Sequence, residues 1–145
     1  MKTTLQSKII WFALVVSQLL LGFLVTTLAN SGRQPTELIE AKRQILIGLG
    51  ALDWLFAWTI PTVFLRSMAA RAKTLTPENI HVISIVQWAL FESVTLFGFI
   101  IANHDVSVQP MLPFLAAGLL GMVLHFPSER RASKLSQAFE TYRVR

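Results

Sequence analysis

Two acidic residues, Asp53 and Glu92, lie inside stretches that otherwise suit hydrocarbon: Asp53 in ILIGLGALDWLFAWTIPTVFL and Glu92 in IHVISIVQWALFESVTLFGFIIA. An ionisable side chain at such a depth is costly, so its presence marks either function or a packing requirement. Two carboxyl groups close together in low dielectric cannot both stay ionised, and a shared proton is the expected state. Such a pair could load and release protons or bind a small cation. The competing chemistry is plainer. Each carboxyl hydrogen-bonds across a helix interface, to Gln18, Gln87, Ser93 or an indole N–H, and holds the helices in register.

Other polar residues gather at the same level. At about 1.5 Å rise per residue, Gln18, Asp53 and Glu92 each fall roughly 12 to 16 Å from one end of their own apolar run, so three helices bring a polar group to one layer. His81, Ser84, Trp88, Glu92 and Thr95 follow one another at three- and four-residue spacing, which puts them on one helix face leading towards Glu92. That is the form of a proton path.

The remaining chemistry-bearing types are sparse. His81 and His125 fall at the ends of apolar runs and read as boundary residues, and His104 sits in a loop. No Ser-His-Asp arrangement, zinc-ligand spacing or phosphate-binding glycine loop is present, so neither an enzyme nor a cofactor or metal is expected. The absence of cysteine excludes disulfides and thiolate chemistry.

The elements that must carry these residues are membrane spans. Of 145 residues, 53% are hydrophobic and 14% charged, with a mean hydropathy of +0.54, where soluble domains carry about 25% charged residues. Four apolar runs are long enough to cross or nearly cross a hydrocarbon core of about 30 Å: Ile9–Ala29, Ile45–Leu65, Ile80–Ala102 and Pro110–Phe126. The first follows a basic start and resembles a signal peptide at Thr27-Leu28-Ala29, but its length favours an uncleaved anchor. Pro61 removes a backbone donor and is expected to kink the second span near Ala57. Trp54, Trp58 and Trp88 lie within the spans rather than at the interfaces that tryptophan favours. Ala116, Ala117, Gly118 and Gly121 leave the fourth span smooth enough for close helix packing.

Between the spans, Asn30–Gln44 is a polar loop expected to hold a short helix from about Pro35. Thr76-Pro77-Glu78 supplies a helix cap, a first-turn proline and a first-turn acid. The 127–145 tail is basic, and Leu135, Phe139 and Tyr142 recur at amphipathic helical spacing, so a helix that docks or lies on headgroups competes with a frayed end. Arg130, Arg131 and Lys134 are the expected lipid-headgroup contacts. Ten Lys and Arg on the side of the termini face three on the other, which predicts cytoplasmic termini in a bacterial inner membrane. The net charge of +5 is therefore read as orientation and lipid contact, not as nucleic-acid binding. The expected architecture is all-α: an antiparallel four-helix transmembrane bundle over residues 1–126, compatible with a homo-oligomer or a place in a larger membrane complex.

Arg33-Gln34-Pro35, followed by Gly48, Gly50, Ala51, Leu52 and Asp53 in an apolar helix, resembles the proteolipid c subunit of rotary ATP synthases. That resemblance implies Asp53 as an ion-carrying carboxyl, with Ala89-Leu90-Phe91-Glu92-Ser93 and Gly98 similar to its surroundings in that family. The first span lacks the family's glycine ladder. The overall pattern also resembles small four-span bacterial membrane proteins in which an Ala-Leu-x-Glu segment precedes a last helix ending in Phe-Pro, a resemblance that implies no activity.

Overall fold

The computed structural model describes residues 2–36, 38–71 and 74–143, with side chains from residue 5 onward. These residues form five helices and no strand: α1 (Lys2–Ala29), α2 (Glu40–Ala70), α3 (Pro77–Asp105), α4 (Met111–Leu124) and α5 (Glu129–Arg143). By length and composition three of them could cross a membrane, and up to four if α4 and α5, bent by 79° at their junction, count as one. Lys73 and Arg145 of the charge count lie outside the described residues, as does the side chain of Lys2.

The helix ends follow local chemistry. Thr76 opens α3 as a capping box: its hydroxyl accepts from the Asn79 amide, Asn79 Oδ1 accepts from the Thr76 amide at 3.0 Å, and Pro77 occupies the first turn, where no backbone donor is needed. Val106 ends α3 in the left-handed region at φ 49°, a cost that a β-branched residue bears only where the chain must turn sharply. Arg33–Thr36 is not helical; α2 begins at Glu40 instead of near Pro35.

α3 is the central element, packed against α1, α2 and α4. Ala57, Trp88, Phe91 and Met122 form the middle of the core, and Val25, Ala102 and Met111 fill one end. The outside is as apolar as the inside: Phe12, Phe23, Leu55 and Val123 are all more than half exposed. In water so large an apolar exterior is unusual, whereas hydrocarbon solvates it without cost. The antiparallel neighbours α2 and α3 are tied at one end, where Arg43 Nη2 meets Asp105 Oδ1 at 2.9 Å and the Thr36 amide donates to the His104 carbonyl at 2.9 Å.

Two elements depart from expectation. The fourth helix covers only Met111–Leu124, and its 14 residues reach about 21 Å, short of a full crossing. The tail is not frayed. α5 folds back on α2, and Phe139, only 2% exposed, joins Leu65, Met68 and Ile83, while the Arg66 guanidinium stacks 5.1 Å from the Tyr142 ring centroid. The amphipathic stripe therefore docks within its own chain.

Candidate polar seam and helix-end cluster

The two carboxyls take separate partners. Asp53 Oδ2, from α2, lies 2.5 Å from Ser93 Oγ on α3, and the Glu92 carboxyl accepts from Ser17 Oγ on α1. Glu92 and Ser93 are consecutive, so they point to different sides of α3, and the two acids are divided between the α1–α3 and α2–α3 interfaces. Among the described residues no hydrogen bond joins the acids to each other, contrary to the expected shared proton. Ser93 Oγ also lies 2.8 Å from the Leu90 carbonyl. The single Ser93 hydroxyl hydrogen therefore lies between two acceptors, the Asp53 carboxyl across the helix interface and the Leu90 carbonyl on its own helix.

Gln18 is fully buried, and its Oε1 accepts from Thr95 Oγ1 at 3.1 Å. The third helix at that point is α4, whose Gly118 has no room for a side chain: a Cβ there would stand 2.3 Å from Thr95 Oγ1 and 2.8 Å from the Phe91 carbonyl oxygen. Gly121 likewise lies against the Phe91 ring. Within the small-residue stripe, Gly118 and Gly121 serve internal packing, whereas Ala116 is exposed. Gln18 Nε2 and Trp54 Nε1 are buried and have no hydrogen-bond partner among the described residues.

The stripe on α3 does not form one continuous chain. His81 Nδ1 pairs with Ser7 Oγ at 2.6 Å, Ser84 donates back to the Ile80 carbonyl at 2.9 Å, and Trp88 Nε1 donates to the His125 carbonyl at 3.0 Å. Each group is engaged locally, either on α3 or with a neighbouring helix.

Gln87 answers the question that Pro61 raises. Proline at 61 leaves the Ala57 carbonyl without its intrahelical donor, and Gln87 Nε2 donates to that carbonyl across the α2–α3 interface at 2.6 Å. Gln87 Oε1 in turn accepts from Arg131 Nη2. Arg131 also donates from Nη1 to the His125 carbonyl and lies 5.7 Å from the Trp88 ring centroid.

These contacts explain how so short an α4 can end where it does. A helix leaves its last carbonyls unpaired, and in a non-aqueous setting each must find a donor. The Gly121 and Val123 carbonyls keep backbone donors, the amides of His125 and Phe126, while Trp11 Nε1 donates to the Met122 carbonyl at 2.8 Å and Trp88 and Arg131 share that of His125, whose Nδ1 also contacts the Gly121 carbonyl at 2.9 Å. The arginine's positive charge also suits the negative end of the helix dipole. Trp58 closes the cluster, with its ring centroid 4.7 Å from that of His125.

Of the residues singled out in the sequence, Gln18 with Thr95, and Gln87 with Arg131, are thus brought into direct contact. Asp53 and Glu92 are not paired, and Arg131 turns inward while Arg130 and Lys134 stay exposed. Ser7, Trp11 and Ser17 were not foreseen as partners. The signal for Ser17 lay only in its being next to Gln18 at mid-span. Set against known proteins, the chain matches no family model, no curated sequence and no solved structure.

Proposed function

We propose that this chain is a polytopic bacterial inner-membrane protein that crosses four times and serves as a structural or accessory subunit, its buried polar groups fixing the helices in register. The observation that carries this reading is the distribution of partners: Ser17 with Glu92, Ser93 with Asp53, Thr95 with Gln18 and Gln87 with the Ala57 carbonyl each join two different helices. Such bonds in membrane bundles contribute on average about 0.6 kcal/mol and up to about 1.7. Ser17→Ala and Ser93→Ala remove the hydroxyl partners without altering shape, so each should lower the unfolding free energy in mixed micelles by that order while the protein still assembles. Wild-type stability in both variants would sink the proposal.

Proton or cation translocation through the Asp53 and Glu92 layer is the second reading, favoured by the fact that both carboxyls are only partly buried and so remain within reach of an exchanging ion. On this reading, proteoliposomes enclosing a pH-sensitive dye should acidify or alkalinise faster than empty vesicles, and Asp53→Asn or Glu92→Gln should abolish the difference. Absence of flux at either sign of membrane potential would dispose of it.

The orientation is part of the proposal. In intact spheroplasts a cysteine at Ser107 should react with a membrane-impermeant maleimide, and one at Ser133 only after permeabilisation. The reverse pattern would invert the topology.

A further inference from the structure

Beside Pro61, α2, α3, the end of α4 and the start of α5 line a cleft of about 530 Å³. Its walls differ in character. Arg130, Arg131 and Lys134 line one side, and no acidic residue is among the lining residues. Trp58, Leu124 and Phe126 line the other, and each is between 41% and 58% exposed, continuous with the apolar exterior of the bundle. No described carboxylate lies within ion-pair distance of any of the three cations; the salt bridges among the described residues are those of Arg43. Arg131 is held in position by Gln87, the His125 carbonyl and the Trp88 ring, all neutral. Those two hydrogen bonds engage two of the guanidinium's five N–H donors.

We propose that this cleft is a binding site for one anionic glycerophospholipid, whose phosphate is held by Arg131, Arg130 and Lys134 while an acyl chain lies along Trp58, Leu124 and Phe126. A guanidinium fixed by neutral partners suits a tetrahedral oxyanion, because its planar donors are already oriented and its charge is uncompensated. Exposed Arg130 and Lys134 add the long-range attraction that selects anionic over zwitterionic headgroups. The apolar wall selects a lipid over a soluble phosphate, since only a molecule carrying hydrocarbon covers Leu124 and Phe126 as well as the charges. The site goes beyond a general attraction of a basic tail to the headgroups: it is a single bound lipid at one place, bridging α5 to the spans. It rests on the membrane placement proposed above, which is tested separately by whether the protein fractionates with membranes after carbonate washing.

Native mass spectrometry of delipidated protein in a neutral detergent tests the assignment. Short-chain phosphatidylglycerol should bind saturably with a stoichiometry of one, and well ahead of the matched phosphatidylcholine. Arg130→Ala with Lys134→Ala should weaken phosphatidylglycerol binding about fivefold for each charge removed. Both side chains are exposed, so the lipid-free melting temperature should stay at its wild-type value; Lys134→Ala alone gives the same readout at about fivefold if the double variant proves unstable. Arg131 is not the variant to use first, because it also caps α4. Equal binding of the two lipids, unchanged phosphatidylglycerol binding in the variants, or glycerol phosphate binding as tightly as the lipid would overturn the proposal. The last of these would make the occupant a soluble phosphate.

Discussion

Gln87 gives the sharpest test of how this protein is held together, because its role is tied to one specific defect in another helix. Replacing Gln87 with Met keeps the length and much of the volume but removes both the donor to the Ala57 carbonyl and the acceptor for Arg131. A buried polar group left unpaired costs about 1–3 kcal/mol, and two are stranded here, one of them on a cation. The low values measured for hydrogen bonds within membrane bundles, about 0.6 kcal/mol on average, pull the expectation down. A loss of about 2–3 kcal/mol follows. The carbonyl share of that loss depends on Pro61. In a Pro61→Ala background the new backbone N–H at position 61 can bond to the Ala57 carbonyl, so Gln87→Met should then cost less by about 1 kcal/mol. Equilibrium unfolding of the four proteins in mixed micelles with increasing dodecyl sulfate measures the coupling directly. A coupling energy of zero, with Gln87→Met equally costly in both backgrounds, would refute the claim that the glutamine serves the proline's orphaned carbonyl.

Two further outcomes follow from packing. Gly118→Ala should prevent recovery of folded protein, since the new methyl group would meet the Phe91 backbone and the Gln18–Thr95 contact, whereas Gly48→Ala, with nothing within 4 Å, should be neutral or stabilising by up to about 1 kcal/mol; size-exclusion yield and melting temperature report both. Phe139→Ala should loosen α5, because a buried phenylalanine contributes about 3–5 kcal/mol and Phe139 is the one residue of α5 that is fully buried against α2 and α3, with Leu135 and Tyr142 only partly buried beside it. Limited trypsin cleavage at Arg130, Arg131 and Lys134 should then run well ahead of wild type while the spans stay intact.

What the sequence determined by itself was what depends on local composition. Run length and hydropathy are properties of a segment, so the three long helices, the capped start of α3 and the amphipathic stripe of α5 could all be read directly. Pro61 even announced that the Ala57 carbonyl would need a donor, because the lost bond is a local fact. Which residue supplies that donor is not local. It depends on how α2 and α3 are rotated and slid against each other, and a rotation of one residue, about 100°, exchanges Glu92 for Ser93 at an interface. For the same reason the sequence could place Asp53 and Glu92 in one layer yet not foresee that each faces a different neighbour of α3. The length of α4 was in part a tertiary decision too. The apolar run continues to Phe126, and Pro127 marks a local stop just beyond it, but the end at Leu124 is accommodated by Trp11, Trp88 and Arg131, from three other helices, which donate to the Met122 and His125 carbonyls.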